Sequence, residues 1–216
     1  MSDIVTIGIL GAGKLGITLA RIARHYGFEV NIAGSGEPGK IALTAEVLAP
    51  GTKAMSTEDV AKHSDVVVLA LPLGRFRTLP KQALAGKLVI DAMNYWWEVD
   101  GSRDDILPSE QSSSEAVQEY LKESRVIKAF NHIGYHDLFD GHAPKGAEGR
   151  KAMAIAGDHD DDVRVVSQLV DALGFDPLHI GDLADGRRLE PGMNTFGANV
   201  ARYELQELLA QQKSAV

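Results

Sequence analysis

Ile4-Val5-Thr6-Ile7-Gly8-Ile9-Leu10-Gly11-Ala12-Gly13-Lys14-Leu15-Gly16 is the stretch whose reading decides the fold. An apolar, β-branched run ends in Gly-x-Gly-x-x-Gly, and a helical pattern follows at once. Each glycine has its own physical role in such a turn. Gly11 permits the sharp change from strand to helix. Gly13 has no Cβ, so a pyrophosphate can approach the backbone. Gly16 lets the helix lie close to the strand. The unpaired N–H groups and the positive dipole end of that helix suit phosphate. Glycine turns are common, and a purely structural turn is the competing reading. The strand before the motif and the helix after it favour a dinucleotide site.

Working outward, a continuous apolar run predicts a buried strand at Val5–Leu10, the run Val66-Val67-Val68-Leu69-Ala70-Leu71 predicts the strongest one within Asp65–Leu71, and further strands are read at Phe28–Ala33, Thr52–Met55, Lys87–Met93, Arg125–Phe130, Ala152–Ala156 and Phe175–Ile180. Helical patterns lie between most of them. Lys14–Tyr26 carries Leu15, Leu19, Ile22 and Ala23 on one face and stops at Gly27. Ile41–Leu48 is helical, and Ser56 or Thr57 caps a brief helix with Glu58 and Asp59 in its first turn. Ser112 or Ser113 starts a helix that runs to Glu123, with Glu115 placed to complete a capping box. A further helix spans Asp161–Leu173, and an amphipathic one spans Asn199–Gln212 through Val200, Tyr203, Leu205, Leu208 and Leu209. Alternating strands and helices predict an α/β fold of Rossmann type: a doubly wound, mainly parallel sheet. Two segments read as loops, Asn94–Gln111 with Trp96 and Trp97, and the Pro/Gly-rich Gly141–Gly149.

Bulk composition narrows the function. The chain has 216 residues, 44% hydrophobic and 24% charged, with a formal net charge of -8 and no cysteine. No basic stripe is present, which argues against a nucleic-acid partner. The lack of cysteine excludes disulfides, thiolate catalysis and iron–sulfur sites. Neither a secretory leader nor an apolar run of the length a bilayer needs is visible, so a cytoplasmic protein without membrane contact is expected.

The second strand bears on which dinucleotide binds. An acidic residue usually ends it, about 20 residues past the glycines, and binds the ribose 2′-hydroxyl of NAD. Here the tip reads Asn31-Ile32-Ala33-Gly34-Ser35-Gly36. With no carboxylate at the tip and a serine hydroxyl able to donate to a phosphate, the pattern favours NADP. Glu37 stands two positions beyond Ser35, and no arginine follows the serine to clamp a phosphate. Lys40 is the nearest cation.

Several segments taken in order resemble a known family. They are Gly11-Ala12-Gly13-Lys14-Leu15-Gly16, Gly34-Ser35, Leu69-Ala70-Leu71-Pro72, Val89-Ile90-Asp91-Ala92-Met93-Asn94 and Ala129-Phe130-Asn131-His132-Ile133. Together they resemble the NADP oxidoreductases dependent on the deazaflavin coenzyme F-420, a family that also includes the reductase domain of the Steap metalloreductases. The resemblance implies an NADP-binding Rossmann core over residues 1–131 and a smaller C-terminal lobe over 132–216, packed as one unit. It implies that Gly11–Gly16, with Gly13, Lys14 and Leu15 at the pyrophosphate, hold the cofactor together with Ser35, Leu71, Pro72 and Asn94. Asn131, His132 and Ile133 would border the nicotinamide and the second ring. Family members often pair through the C-terminal lobe, so a homodimer is expected. Where the family often has an arginine after the serine, this chain has Gly36.

Hydride transfer from NADPH to a deazaflavin co-substrate asks for geometry and a dry site rather than an acid–base pair. The sequence offers no catalytic triad, and no catalytic side chain is assigned. No metal site is expected either. His132 and His136 are four apart but separated by Gly134, and Asp158–Asp162 reads as the cap and first turn of a helix. Trp96 and Trp97 stack on a ring, pack in the core or contact a second subunit. Two other functions stay open: a reductase of a flavin, quinone or small imine or carbonyl, and a sensor that binds NADP without turnover. A roomy slot between Asn94–Gly101 and Phe130–Ile133 favours a tricyclic ring, and a filled slot favours sensing.

Overall fold

The computed structural model of the chain describes residues 4–108 and 111–213. The N-terminal half alternates β1 (Thr6–Leu10), α1 (Lys14–His25), β2 (Glu29–Ala33), α2 (Gly39–Leu48), β3 (Lys53–Ala54), α3 (Thr57–Lys62) and β4 (Val66–Leu69). A 3-10 turn, Leu73–Thr78, and the short α4 (Lys81–Leu84) lead to β5 (Leu88–Asp91). Then come α5 (Trp97–Asp100), a 3-10 turn at Arg103–Asp105, α6 (Ser113–Tyr120) and β6 (Arg125–Lys128). The chain closes with α7 (Tyr135–Gly141), β7 (Ala152–Ala156), α8 (Asp160–Ala172), β8 (Asp176–Gly181), a 3-10 turn at Leu183–Leu189 and α9 (Arg202–Lys213).

All eight strands join one sheet in the order β3-β2-β1-β4-β5-β6-β7-β8. Neighbours run parallel except β6 and β7, which meet antiparallel at Lys128 and Ala156. The strand order reverses beside β1, the topological switch point at which open α/β sheets bind ligands. Both faces of the sheet are covered, and this explains the unbroken apolar runs. On β4, Val66 and Val68 join the core under α1 and α8, while Val67 and Leu69 join the core under α3 and α6. On α1, Leu19, Ile22 and Ala23 are buried against the sheet, as their spacing predicts.

Local chemistry sets several helix starts. Ser56 caps α3 by accepting from the Asp59 N–H. Ser112 and Glu115 form a full capping box on α6. In the Asp158–Asp162 run, Asp160, Asp161 and Asp162 occupy the first turn of α8, and Asp158 accepts from the Leu183 N–H at 2.8 Å. Asp162 also takes the Arg125 Nε through both carboxylate oxygens, at 2.9 and 3.0 Å.

Some expectations shift. α6 stops at Tyr120 and α9 starts at Arg202. On α9, Leu205 and Leu209 are buried but Tyr203 is exposed, so the apolar stripe is narrower than the pattern suggests. The segment 94–111 is not all loop: α5 and the following 3-10 turn bring Ile106 and Leu107 into the core, and its residues 109–110 lie outside the described residues. Trp96 and Trp97 are both exposed, which removes core packing as their role; Trp96 meets Phe196 edge-on at 5.6 Å. Arg188 lies against α9, donating to the Leu209 carbonyl.

Candidate functional site

The β1–α1 turn shows what each glycine does. Gly11 adopts φ +123°, and a Cβ there would stand 2.2 Å from the Ala70 carbonyl oxygen. A Cβ on Gly16 would stand 1.8 Å from the Gly11 oxygen. These two positions are closed by the fold itself. Gly13 differs, because a Cβ there meets nothing within 4 Å. Gly13 is the N-cap residue of α1, and no side chain caps that helix. Its first-turn N–H groups therefore face open space, as a phosphate seat requires. The turn is pinned on both sides: Gly11 N–H donates to the Ala33 oxygen and Ala70 N–H to the Leu10 oxygen, both at 2.8 Å.

A cleft of about 440 Å³ opens over this turn. Its walls are Gly11, Ala12 and Gly13, then Gly34, Ser35 and Gly36 from the tip of β2, then Leu71, Pro72 and Arg75 beyond β4. Among the residues expected at the cofactor, the structure thus brings together Gly11, Ala12, Gly13, Ser35, Leu71 and Pro72. Lys14 and Leu15 continue along α1, and Gly16 is buried beneath it. The Lys14 ammonium lies 5.4 Å from the Tyr135 ring centroid, in a second groove between α1 and α7. Glu37 turns away from the cleft and lines a different depression with Glu29 and Lys53. Lys40 folds back over Gly36, its Nζ 3.4 Å from where a Cβ would stand.

Asn94 and Asn131 meet at the ends of β5 and β6. The Asn94 Nδ2 donates to the Asn131 carbonyl at 2.8 Å, and the Asn131 Nδ2 donates to Asn94 Oδ1 at 3.1 Å and to the Leu189 carbonyl at 2.9 Å. Asn94 is half-buried, whereas Asn131, His132 and Ile133 are buried. Phe130 precedes them in the left-handed region at φ 62°, a conformation uncommon outside glycine, and its burial holds it there. On this side the slot is filled by the chain's own side chains.

His132 is fully enclosed. Its Nε2 accepts from the Ala154 N–H at 3.0 Å, and its Nδ1 is buried without a partner. Burial pushes its pKa from 6.5 to about 4. The imidazole is therefore neutral at neutral pH, and its ring presents no exposed surface. Because the folded pKa lies below the unfolded one, the unfolded chain binds the extra proton first. Stability from this group is complete above pH 6.5 and declines as pH falls towards 4. The loss reaches about 3 kcal/mol at the acid end, at about 1.4 kcal/mol per pKa unit. A proton NMR titration of His132 checks this; a midpoint near 6.5 would show an accessible ring.

Sequence reading missed two features. Lys128 and Asp91 form an ion pair at 3.1 Å with both side chains fully buried. Lys128 also donates to the Met93 carbonyl at 2.7 Å, and Ser114 donates to Asp91 at 2.6 Å. This network sits directly beneath Asn94. Arg75 is the second feature, and no local pattern marked it. No helix among the described residues is long and apolar enough to cross a membrane. No group of three or more His, Cys, Asp or Glu side chains among them is placed to hold a metal ion.

Fold and cleft define an α/β protein of Rossmann type. Residues 6–95 match the family described as NADP oxidoreductase coenzyme F420-dependent. It is 31% identical to the metalloreductase STEAP3 of Rattus norvegicus over 186 residues, which cover 85% of this chain and 35% of that protein. It is 29% identical to the F420-dependent NADP reductase of Methanocaldococcus jannaschii over 143 residues, covering 63% of this chain and 62% of that one. The chain thus spans less than two thirds of either relative. A crystal structure of the hypothetical protein SMa0349 from Sinorhizobium meliloti superposes with a TM-score of 0.78 at 27% identity, covering 92% of this chain and 96% of the other. Both relatives carry the names of reductases.

Proposed function

We propose that this chain is an oxidoreductase that transfers a hydride between NADPH and a deazaflavin co-substrate of the coenzyme F-420 type. The observation that carries the proposal is the empty space over Gly13, continuous with a cleft that ends at Ser35. A diphosphate fits over the α1 N-terminus, with the adenosine ribose directed to Ser35 and the nicotinamide directed to Leu71, Pro72 and Asn94. The cofactors supply the electronics, and the protein supplies alignment and exclusion of water. In this reading the 1–131 core and the 132–216 lobe share the work. Asn131 orients the Asn94 carboxamide from behind, and His132 and Ile133 form the wall that supports Asn131. The acceptor ring approaches from the side of Trp96 and Trp97, whose exposed indoles offer flat apolar surface. A second copy of the chain, joined through the C-terminal lobe, and a cytoplasmic setting belong to the same proposal.

The enclosure of Phe130–Ile133 favours a second reading, an NADP-binding sensor without turnover. One experiment separates them. Mixing the protein with NADPH and oxidised deazaflavin should bleach the deazaflavin's visible absorbance; bound NADPH with no bleaching rejects hydride transfer to it. Replacing the deazaflavin by a flavin tests the nearest alternative acceptor.

Ser35→Asp tests the 2′-phosphate placement. A carboxylate at the β2 tip accepts from a ribose hydroxyl and repels a phosphate. The NADPH-to-NADH affinity ratio should fall by about tenfold or more, as read by fluorescence titration. An unchanged ratio places the 2′ group elsewhere.

A further inference from the structure

The NADP reading leaves a charge unaccounted for. A 2′-phosphate carries close to two negative charges at neutral pH, and the β2 tip offers the Ser35 hydroxyl, the glycine backbone around it and the single Lys40 ammonium folded over Gly36. Among the described residues that line the cleft, the single formally charged side chain is Arg75. It comes from the opposite wall, in the 3-10 turn that follows β4. The turn is anchored from below by Leu73 and Phe76, both buried. Arg75 N–H donates to the Pro72 oxygen at 3.0 Å, and the Thr78 hydroxyl donates to the Arg75 carbonyl at 2.7 Å. Its backbone is thus fixed while its side chain is exposed.

The neighbouring arginines are engaged. Arg77 donates to the Ile106 carbonyl at 2.9 Å and stacks over Phe76, and Arg103 pairs with Glu190 at 3.8 Å. The Arg75 guanidinium makes no ion pair with any described residue. In a chain of net charge -8, a cation left without an acid beside a nucleotide-sized cleft is suited to an anion from outside. The nearest acid in sequence to Ser35 is Glu37, which lines the other depression.

We infer that Arg75 is a specificity-determining residue, binding the adenosine 2′-phosphomonoester across the cleft from Ser35. The planar fork of a guanidinium matches two phosphate oxygens at once. It supplies from the β4 crossover the cation that Gly36 does not supply at the β2 tip. Lys40, folded over Gly36, is the competing cation. The inference rests on the NADP reading above, and its test keeps the two apart.

Calorimetric titration with NADPH, NADH, adenosine 2′,5′-bisphosphate and 5′-AMP is run on the wild-type chain, Arg75→Gln, Arg75→Lys and Lys40→Gln. Arg75→Gln should weaken NADPH and the bisphosphate by about 10- to 100-fold. NADH and 5′-AMP should stay within about twofold, since they lack the 2′ group. Arg75→Lys should recover part of the loss, and the difference from wild type should shrink as salt is raised. Equal loss of NADPH and NADH affinity would mean that Arg75 stacks on adenine instead, and the inference fails. A loss confined to Lys40→Gln, with Arg75→Gln unchanged, also overturns it. A wild-type chain that binds NADPH and NADH alike rejects the NADP reading itself.

Discussion

Gly13→Val should remove pyridine-nucleotide binding, by about 100-fold or more, while the melting temperature stays close to that of the wild-type chain. The two halves of this result have separate causes. The backbone at Gly13, φ -81° and ψ -169°, is extended and open to any residue. A side chain there touches no protein atom within 4 Å of its Cβ. Valine is a poorer N-cap than glycine, which costs about 1 kcal/mol or less. The branched side chain instead fills the seat over the α1 N-terminus where the diphosphate would lie. Gly16→Ala is the informative contrast: a Cβ at 1.8 Å from the Gly11 oxygen forces the helix off the strand, so that variant should lose stability as well as binding. Calorimetric titration and a thermal melt measure both halves. Full nucleotide affinity in Gly13→Val overturns the placement of the diphosphate.

Lys128→Met should destabilise the fold by about 3–5 kcal/mol, the cost of stranding one partner of a buried ion pair. Asp91 would keep the Ser114 hydroxyl at 2.6 Å and the Met93 N–H at 2.9 Å but lose its counter-charge in a site without solvent. The Met93 carbonyl would lose its donor too. Asp91→Leu combined with Lys128→Met should recover much of the loss, because an apolar pair of similar volume replaces two charges that both had to be desolvated. Chemical denaturation of the single and double variants measures this. A loss under about 1 kcal/mol in Lys128→Met would show that water reaches the pair. Because Met93 leads directly into Asn94, the same substitution should reposition the end of β5.

The parts of the fold that rest on local pattern were legible in the sequence. Apolar runs marked β1, β4 and β7 most plainly and the other strands fall where strands were expected, while α1, α3, α6 and α8 follow from periodicity, capping serines and first-turn acids. What escaped is set by tertiary contact. α4, α5 and α7 run for four, four and seven residues, too short for a 3.6-residue period to declare itself. The reversal between β6 and β7 depends on how the chain returns to the sheet, and nothing within Ala152–Ala156 encodes direction. Lys128 and Asp91 stand 37 positions apart, and each alone reads as a polar residue at a strand end. At the site, the glycine turn and Ser35 were legible because their chemistry is local. Arg75 was not, since Leu73-Gly74-Arg75-Phe76-Arg77-Thr78 gives no clue which of its two arginines meets the cleft. The burial of His132 was also hidden, because a histidine after a strand looks the same whether its ring faces a ligand or the interior.

The antiparallel seam between β6 and β7 has an architectural consequence. Strands β1, β2, β4, β5 and β6 all deliver their carboxyl ends to the edge where the cleft opens. Past the seam the polarity inverts, and β7 and β8 run the other way. The stretches just before Ala152 and Asp176 instead meet each other and the far end of α1: the Ala143 N–H donates to the Gly174 carbonyl, and Tyr26 hydrogen-bonds His142. Changes in length or composition there would fall at the opposite end of α1 from the Gly13 turn, leaving the cleft over that turn as it is.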